Sequence, residues 1–459
     1  MKTEKQRLKL TEAPIGESIR SLMLPMLVGM IALISYNVAD TYFVGQIGTL
    51  ELAAISFTFP VGFIVGAVTM SFGIGTASVV SRMFGANQLD DVERVAVHAM
   101  LLGGVAGLVV VGIGLATIDP LFTLLGADET TLPIIRRYIS IYYWGGVFLI
   151  VPMISNSVMR ASGNARTPAM IMTIAAISNV ILDPILIFGW FGFPRLGVEG
   201  AAIATVVANA GTMVTSIYAI RYREKLVHFK HLWADQIIDS WKRILHVGLP
   251  SMASSLIAPI TTAFITYQVA QFGQEAVAGF GIAARLEGLA MMAIIALSAA
   301  ITPFVGQNFG AGKYDRVASG VTWCYKFSIV YGLSVAAIMA LLSPFIAGIF
   351  TDDPTAIYTT TLHMRIVPIS YLALGCAMTA NSSFNAIGKP MPAMFISMTR
   401  TILCYAPLAF LFAHWFGLVG IFAAACTANF VAGSVGVIWF RAVFKHKLED
   451  QKPALQPTS

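Results

Sequence analysis

Time after time this chain runs for about 20 residues or more with hardly a charged side chain, the length a helix needs to cross a hydrocarbon core of roughly 30 Å. Few folds accept that pattern. Of the 459 residues, 57% are hydrophobic and 11% charged, whereas a soluble domain is about a quarter charged. The weak alternation of a transmembrane barrel is absent. The chain therefore reads as an all-α polytopic membrane protein. Twelve spans are expected near residues 19–44, 53–80, 95–118, 133–158, 167–188, 198–220, 244–270, 277–304, 317–347, 358–385, 392–413 and 418–441.

The charges set the orientation. With the N-terminus inside, the outer loops carry Arg195 alone against seven acids: Glu51, Asp119, Asp128, Glu129, Glu275, Asp352 and Asp353. Basic residues collect on the other side, so both termini are expected in the cytoplasm. The net charge of +6 then belongs to cytoplasmic loops facing membrane lipid, and nucleic acid is not an expected partner. The basic start (Lys2, Lys5, Arg7, Lys9) leads into a long apolar run with no small-residue cleavage site, so it is read as a retained first helix. Cys324, Cys376, Cys404 and Cys426 all fall in apolar runs, with neither disulfide-framework nor metal spacing.

The chain repeats itself. Leu24-Pro25 matches Leu249-Pro250, Phe84-Gly85-Ala86 matches Phe309-Gly310-Ala311, and Ser157, Ala161 and Gly163 match Ser382, Ala386 and Gly388, all at an offset of 225. Pro168-Ala169-Met170 matches Pro392-Ala393-Met394 at 224, and Gly197, Gly200, Ala204, Ala208 and Asn209 match Gly417, Gly420, Ala424, Ala428 and Asn429 at 220. An even number of spans per half makes the repeat parallel, so two six-helix lobes related by a pseudo-two-fold along the membrane normal are expected. The boundaries are residues 15–220 for the first lobe, 221–243 for a cytoplasmic linker and 244–445 for the second lobe. The linker is basic, carries Trp233, Ile237, Ile238 and Trp241, and is expected to lie on the membrane surface as an amphipathic helix.

Within the first lobe stand two acids, Asp40 in span 1 and Asp183 in span 5. An ionisable group in a membrane span is costly and by default marks a function. Both spans run outward, and each acid lies four or five residues before the outer end, so both carboxylates share one depth at about 1.5 Å per residue. Asn179 shares the face of Asp183, Tyr36 and Asn37 that of Asp40, and Thr205 reaches the same depth from span 6. Two chemistries suit the set. Burial and a like-charged neighbour both favour the protonated form of a carboxylate, so the pair can hold a proton. Alternatively, oxygens of Asp40, Asn179 and Asp183 suit a hard cation such as sodium. The aligned second-half positions, Ile265 and Ala406, are apolar.

Weaker signals lie elsewhere. Pro25, inside span 1, lacks the N–H that would close its turn and can bend that helix. Tyr142, Tyr143, Met153, Asn156 and Met172 are candidates for an adaptable substrate cleft. Glu287 is expected to pair with Arg400, with a second ion site as the alternative; Arg285, two residues away, does not face Glu287, and Arg136, Arg137 and Arg365 are expected to snorkel. His98, His363 and His414 have no metal-ligand partner at helical spacing. No Walker loop, nucleophile elbow or zinc helix is present, which argues against an enzyme or an ATP-driven pump; no cofactor is expected.

Pro25, the run Asn37 to Gly45 (NVADTYFVG), Met83 to Ala86 with Asp90, the Arg160–Gly163 turn followed by Pro168, Asn179 to Pro184 (NVILDP) and Gly197 to Thr205 (GVEGAAIAT) together resemble the multidrug and toxic compound extrusion (MATE) family, over residues 15–445. The set of Asp40, Asn179 and Asp183 resembles the DinF-like branch. That resemblance implies that these first-lobe residues bind the coupling ion and that Pro25 marks the bend of the first helix. Other branches place acids in spans 7 and 10; here those spans have none, against a second ion site of that kind. The expected activity is export of amphipathic or cationic drug-like small molecules in exchange for protons, across the bacterial inner membrane, by a monomer. A sodium-coupled antiporter is the alternative. A lipid-linked oligosaccharide flippase is a further one; its pyrophosphate contacts would fall to Arg285, Arg365 and Arg400.

Overall fold

The computed structural model describes residues 9–227 and 236–449, which are nearly all helical, with no strand among them. Ten helical stretches are long and apolar enough to cross a membrane. The pair Leu132–Trp144 and Gly146–Ala161, bent by 42°, makes another. The last stretch, Pro390–Lys445, holds two spans, because Gly417 leaves helical geometry at φ 58°, ψ −137°. Twelve spans result. Their outward surface is apolar, with side chains such as Leu341 and Phe345 largely exposed, the surface expected to face lipid.

Several spans depart from plain helices, each with a local cause. Span 2 begins at Phe59 rather than 53, after a separate helix Thr49–Ser56, with Pro60 in its first turn, where a missing N–H costs nothing. Span 4 bends at Gly145, between its two helices. Span 10 divides into Pro354–Ile366 and Tyr371–Ala386 around a 3-10 turn at Val367–Ser370, which contains Pro368. Span 1, in contrast, is one helix from Ile15 to Gly45 despite Pro25.

Contacts divide the chain into two compact units. The first runs Leu24–Met252; the second runs from Ala253 onward and includes the segment ending at Met23. Both divisions fall inside helices, span 1 and the helix Ile237–Ala270. The expected linker is therefore helical from Ile237 and continuous with span 7, while residues 228–235, with Trp233, lie outside the described residues. Trp241 packs in the core of the first unit and donates its indole N–H to the His98 carbonyl at 2.8 Å, with His98 Nδ1 2.8 Å from Ser240 Oγ. The second unit has the matching arrangement. A Cβ on Gly16 would come within 3.1 Å of Trp323 Nε1, and Arg316 donates to the carbonyl of Ala13 at 2.7 Å. Gly16 and Trp241, and likewise His98 and Trp323, are aligned positions of the repeat.

The repeat also extends to backbone detail. Gly197, at φ 58° and ψ −130°, closely matches Gly417 at φ 58° and ψ −137°. Gly107 lies against the backbone of Val147, and Gly332 against that of Leu372, so both partners of the contact recur at aligned positions. Small residues at such crossings let helix backbones close together in lipid.

Candidate ion-coupling site in the first unit

Span 5 builds the centre of the site. Asn179 and Asp183, one turn apart, are both buried, Asp183 with no exposed surface. Oriented to satisfy its neighbours, the Asn179 amide donates to Asp183 Oδ2 at 2.9 Å and accepts from the Thr205 backbone N–H at 3.3 Å; the opposite orientation would put its nitrogen 3.4 Å from Thr205 Oγ1. Pro184 follows directly within the helix. Having no N–H, it leaves the carbonyl one turn earlier without its usual partner and loosens the ladder beside the acid.

Asp40 comes from span 1, and its charge reaches Asp183 and Tyr36. Tyr36 in turn stands beside the Thr205 side chain. Oδ1 of each acid is buried and has no hydrogen-bond partner. Two buried carboxylate oxygens without donors are costly when charged. A proton on one of them, or a cation between them, supplies what they lack.

Among the sequence candidates, the structure gathers Asp40, Asp183, Asn179, Tyr36 and Thr205. It leaves Asn37 out: that side chain is exposed and donates to the Leu33 carbonyl of its own helix at 2.8 Å. Three residues before Asp40, Asn37 lies about 60° round the helix on the side away from Tyr36. Tyr138 is the residue sequence reasoning missed. It is buried in span 4, stacked on Tyr142 at 6.4 Å, and close enough to feel both acids and Tyr36. Its signal was available, since it stands one turn before Tyr142 on the same face.

Of the cleft candidates, Tyr142 and Tyr143 line one pocket. Tyr142 stands beside Tyr36. Tyr143 is buried against Gly114 in the unit's core. Met153 packs towards Gly73 and Met172 towards Gly29. Asn156 is buried and accepts from Ser216 Oγ at 3.4 Å. In the second unit, Glu287 does not pair with Arg400; its carboxylate lies 3.4 Å from Nε2 of the buried His363. That ring is boxed edge-on by Phe280 and Phe422, which fixes it toward the acid and accounts for a histidine that looked isolated in sequence.

Twelve apolar spans with two acids set inside the first unit make this a polytopic membrane protein. The MatE family profile matches residues 25–185 and again 250–411, the second match beginning at the repeat equivalent of the first, and the chain belongs to that family. It is 34% identical to a protein described as an FAD transporter from Shewanella oneidensis, over 94% of this chain and 95% of that one. It is 26% identical to the probable multidrug resistance protein NorM of Thermotoga maritima, over 96% and 91%. The crystal structure of the Vibrio cholerae MATE transporter VcmN in its bent form superposes with a TM-score of 0.89 at 30% identity, covering 96% of this chain and 99% of that one.

Proposed function

We propose that this chain is a proton-coupled antiporter that exports amphipathic aromatic compounds, anionic flavin-like nucleotides among them, across the bacterial cytoplasmic membrane. The observation that carries the reading is the pair of acids at one site, each with a buried oxygen lacking a donor. The exchange follows from their energetics. A proton entering from the outer side neutralises one carboxylate of the pair, and its release to the inside restores a charge that the apolar unit does not accommodate without cost. Each charge moved inward by the membrane potential contributes about 2.3 kcal/mol per 100 mV. Span 1 provides the movable part in this reading, since Pro25 leaves one turn of its ladder open.

Protons are favoured over sodium because the polar set lies in one unit and supplies few oxygen ligands around Asp40 and Asp183. Support for the substrate class is the 34% identity to the FAD transporter. Likeness to NorM supports a second class, cationic drugs. Efflux from proteoliposomes separates these readings. With FAD or ethidium trapped inside, an imposed pH gradient is expected to drive efflux and a sodium gradient at equal pH to leave it at the leak rate. Efflux driven by sodium alone overturns the proton assignment.

A further inference from the structure

The second unit contains a cavity of about 270 Å³ walled by spans 8, 10, 11 and 12. Arg400, Asn381 and Ser397 are its polar residues, and Met291, Met378 and Ile396 supply much of its apolar face. Asn381 Nδ2 donates to Ser397 Oγ at 3.1 Å, which leaves its carbonyl oxygen buried with no partner. No hydrogen bond or ion pair holds Arg400 among the described residues. The acid whose charge reaches it, Glu287, is turned to His363 instead. Arg400 also stands on a widened π turn, Thr399–Tyr405, inside span 11, a distortion that is frequent at functional sites.

The repeat isolates what is special here. Met378 and Asn381 are the repeat equivalents of Met153 and Asn156. In the first unit the asparagine is closed off by Ser216. Arg400 falls on Ala176, in the register of the adjoining Pro168–Pro392 match. The shared scaffold thus needs no charge at either place. One unit has added acids, at Asp40 and Asp183, and the other a cation in a cavity.

The geometry points to an anion-recognition pocket that takes the phosphate-bearing end of a flat aromatic substrate. A guanidinium offers paired donors to phosphate. The free Asn381 oxygen accepts from a sugar hydroxyl or a ring N–H. The methionines adapt to the flat ring and contact it through sulfur. At this volume the pocket takes one end of a dinucleotide and not the whole. The assignment rests on the proposal that flavin-like anions are carried. It places anion recognition apart from the ion-coupling acids, in the other unit.

Binding of riboflavin, FMN and FAD to the purified protein in nanodiscs, read by quenching of flavin fluorescence, tests this. Wild type is expected to bind FMN roughly tenfold or more tightly than riboflavin, the value of a charge-assisted hydrogen-bonded phosphate. Arg400→Ala is expected to erase that preference and Arg400→Lys to keep part of it. Arg400→Gln, which fills the same space without charge, serves if the alanine variant does not fold. If the folded neutral variants still prefer FMN as wild type does, the pocket is refuted while flavin transport stands. If wild type binds none of the three flavins, the pocket and the flavin reading fall together.

Discussion

Asp183 has no exposed surface, and one of its two oxygens has no donor. A buried group so placed is costly, which is the basis of the proposed coupling role. Asn179 holds one oxygen at 2.9 Å, and Tyr36, Tyr138 and Thr205 gather round the pair. Tyr138→Phe removes a hydroxyl from this group while keeping the ring stacked on Tyr142. Coupled export is expected to slow roughly fivefold, about the worth of one hydrogen bond near 1 kcal/mol, with thermal stability close to wild type. An unchanged export rate would remove Tyr138 from the site. At this scale the sequence disclosed the acids, because a carboxylate in an apolar run is conspicuous. It disclosed Asn179, Tyr36 and Thr205 because helical spacing and depth are arithmetic. Asn37 passed the same arithmetic and failed in the structure, since facing depends on how the helix is rotated against its neighbours. Tyr138 went unseen because a tyrosine in an apolar run is ordinary; its one sequence signal was its place a turn before Tyr142. The pairing of Glu287 with His363 rather than Arg400 was likewise beyond reach, being a choice among three spans whose packing no spacing specifies.

At the scale of elements, helix crossings and caps make separate predictions. Gly332 abuts the backbone of Leu372, whereas a Cβ on Gly112 meets nothing. Gly332→Ala is expected to lower stability by about 1–3 kcal/mol through forced displacement. Gly112→Ala is expected to be neutral or slightly stabilising. Thermal unfolding of both in detergent checks the contrast, and equal Tm values would contradict it. Outside the membrane, Asp128 caps the turn into span 4, its Oδ1 accepting from the backbone and hydroxyl of both Thr130 and Thr131. Those hydrogen bonds hold its carboxyl well below the usual range. A depressed folded value means stabilisation is fully present above the unfolded pKa and is lost as pH falls through the folded one. The Tm gap between wild type and Asp128→Ala is therefore expected to be level from pH 8 to 5 and to shrink only below about 4. A gap that closes between pH 7 and 6 would contradict the cap. The spans were readable from hydropathy, but the breaks at Phe57, Gly145 and Val367 were not, because prolines and glycines permit a break without specifying one.

For the whole molecule, the duplication is the organising fact, visible in matched glycines, in the doubled family match and in the paired contacts of Gly16 with Trp323 and Trp241 with His98. Charge distribution predicts the orientation. In a variant with its four cysteines replaced by serine, a cysteine at Glu129 is expected to react with a membrane-impermeant maleimide in intact cells. One at Lys389 is expected to react only after permeabilisation; the reverse pattern would invert the topology. The same duplication frames the central proposal, that acids added to one unit of a scaffold that does without them at the aligned positions of the other serve coupling. Substrate-driven proton movement into proteoliposomes, followed with a pH dye trapped in the lumen, tests that most directly. Wild type is expected to move protons opposite to substrate. Asp40→Asn and Asp183→Asn are expected to bind substrate and exchange it across the membrane without proton movement. Proton movement at the wild-type rate in both variants would contradict the account.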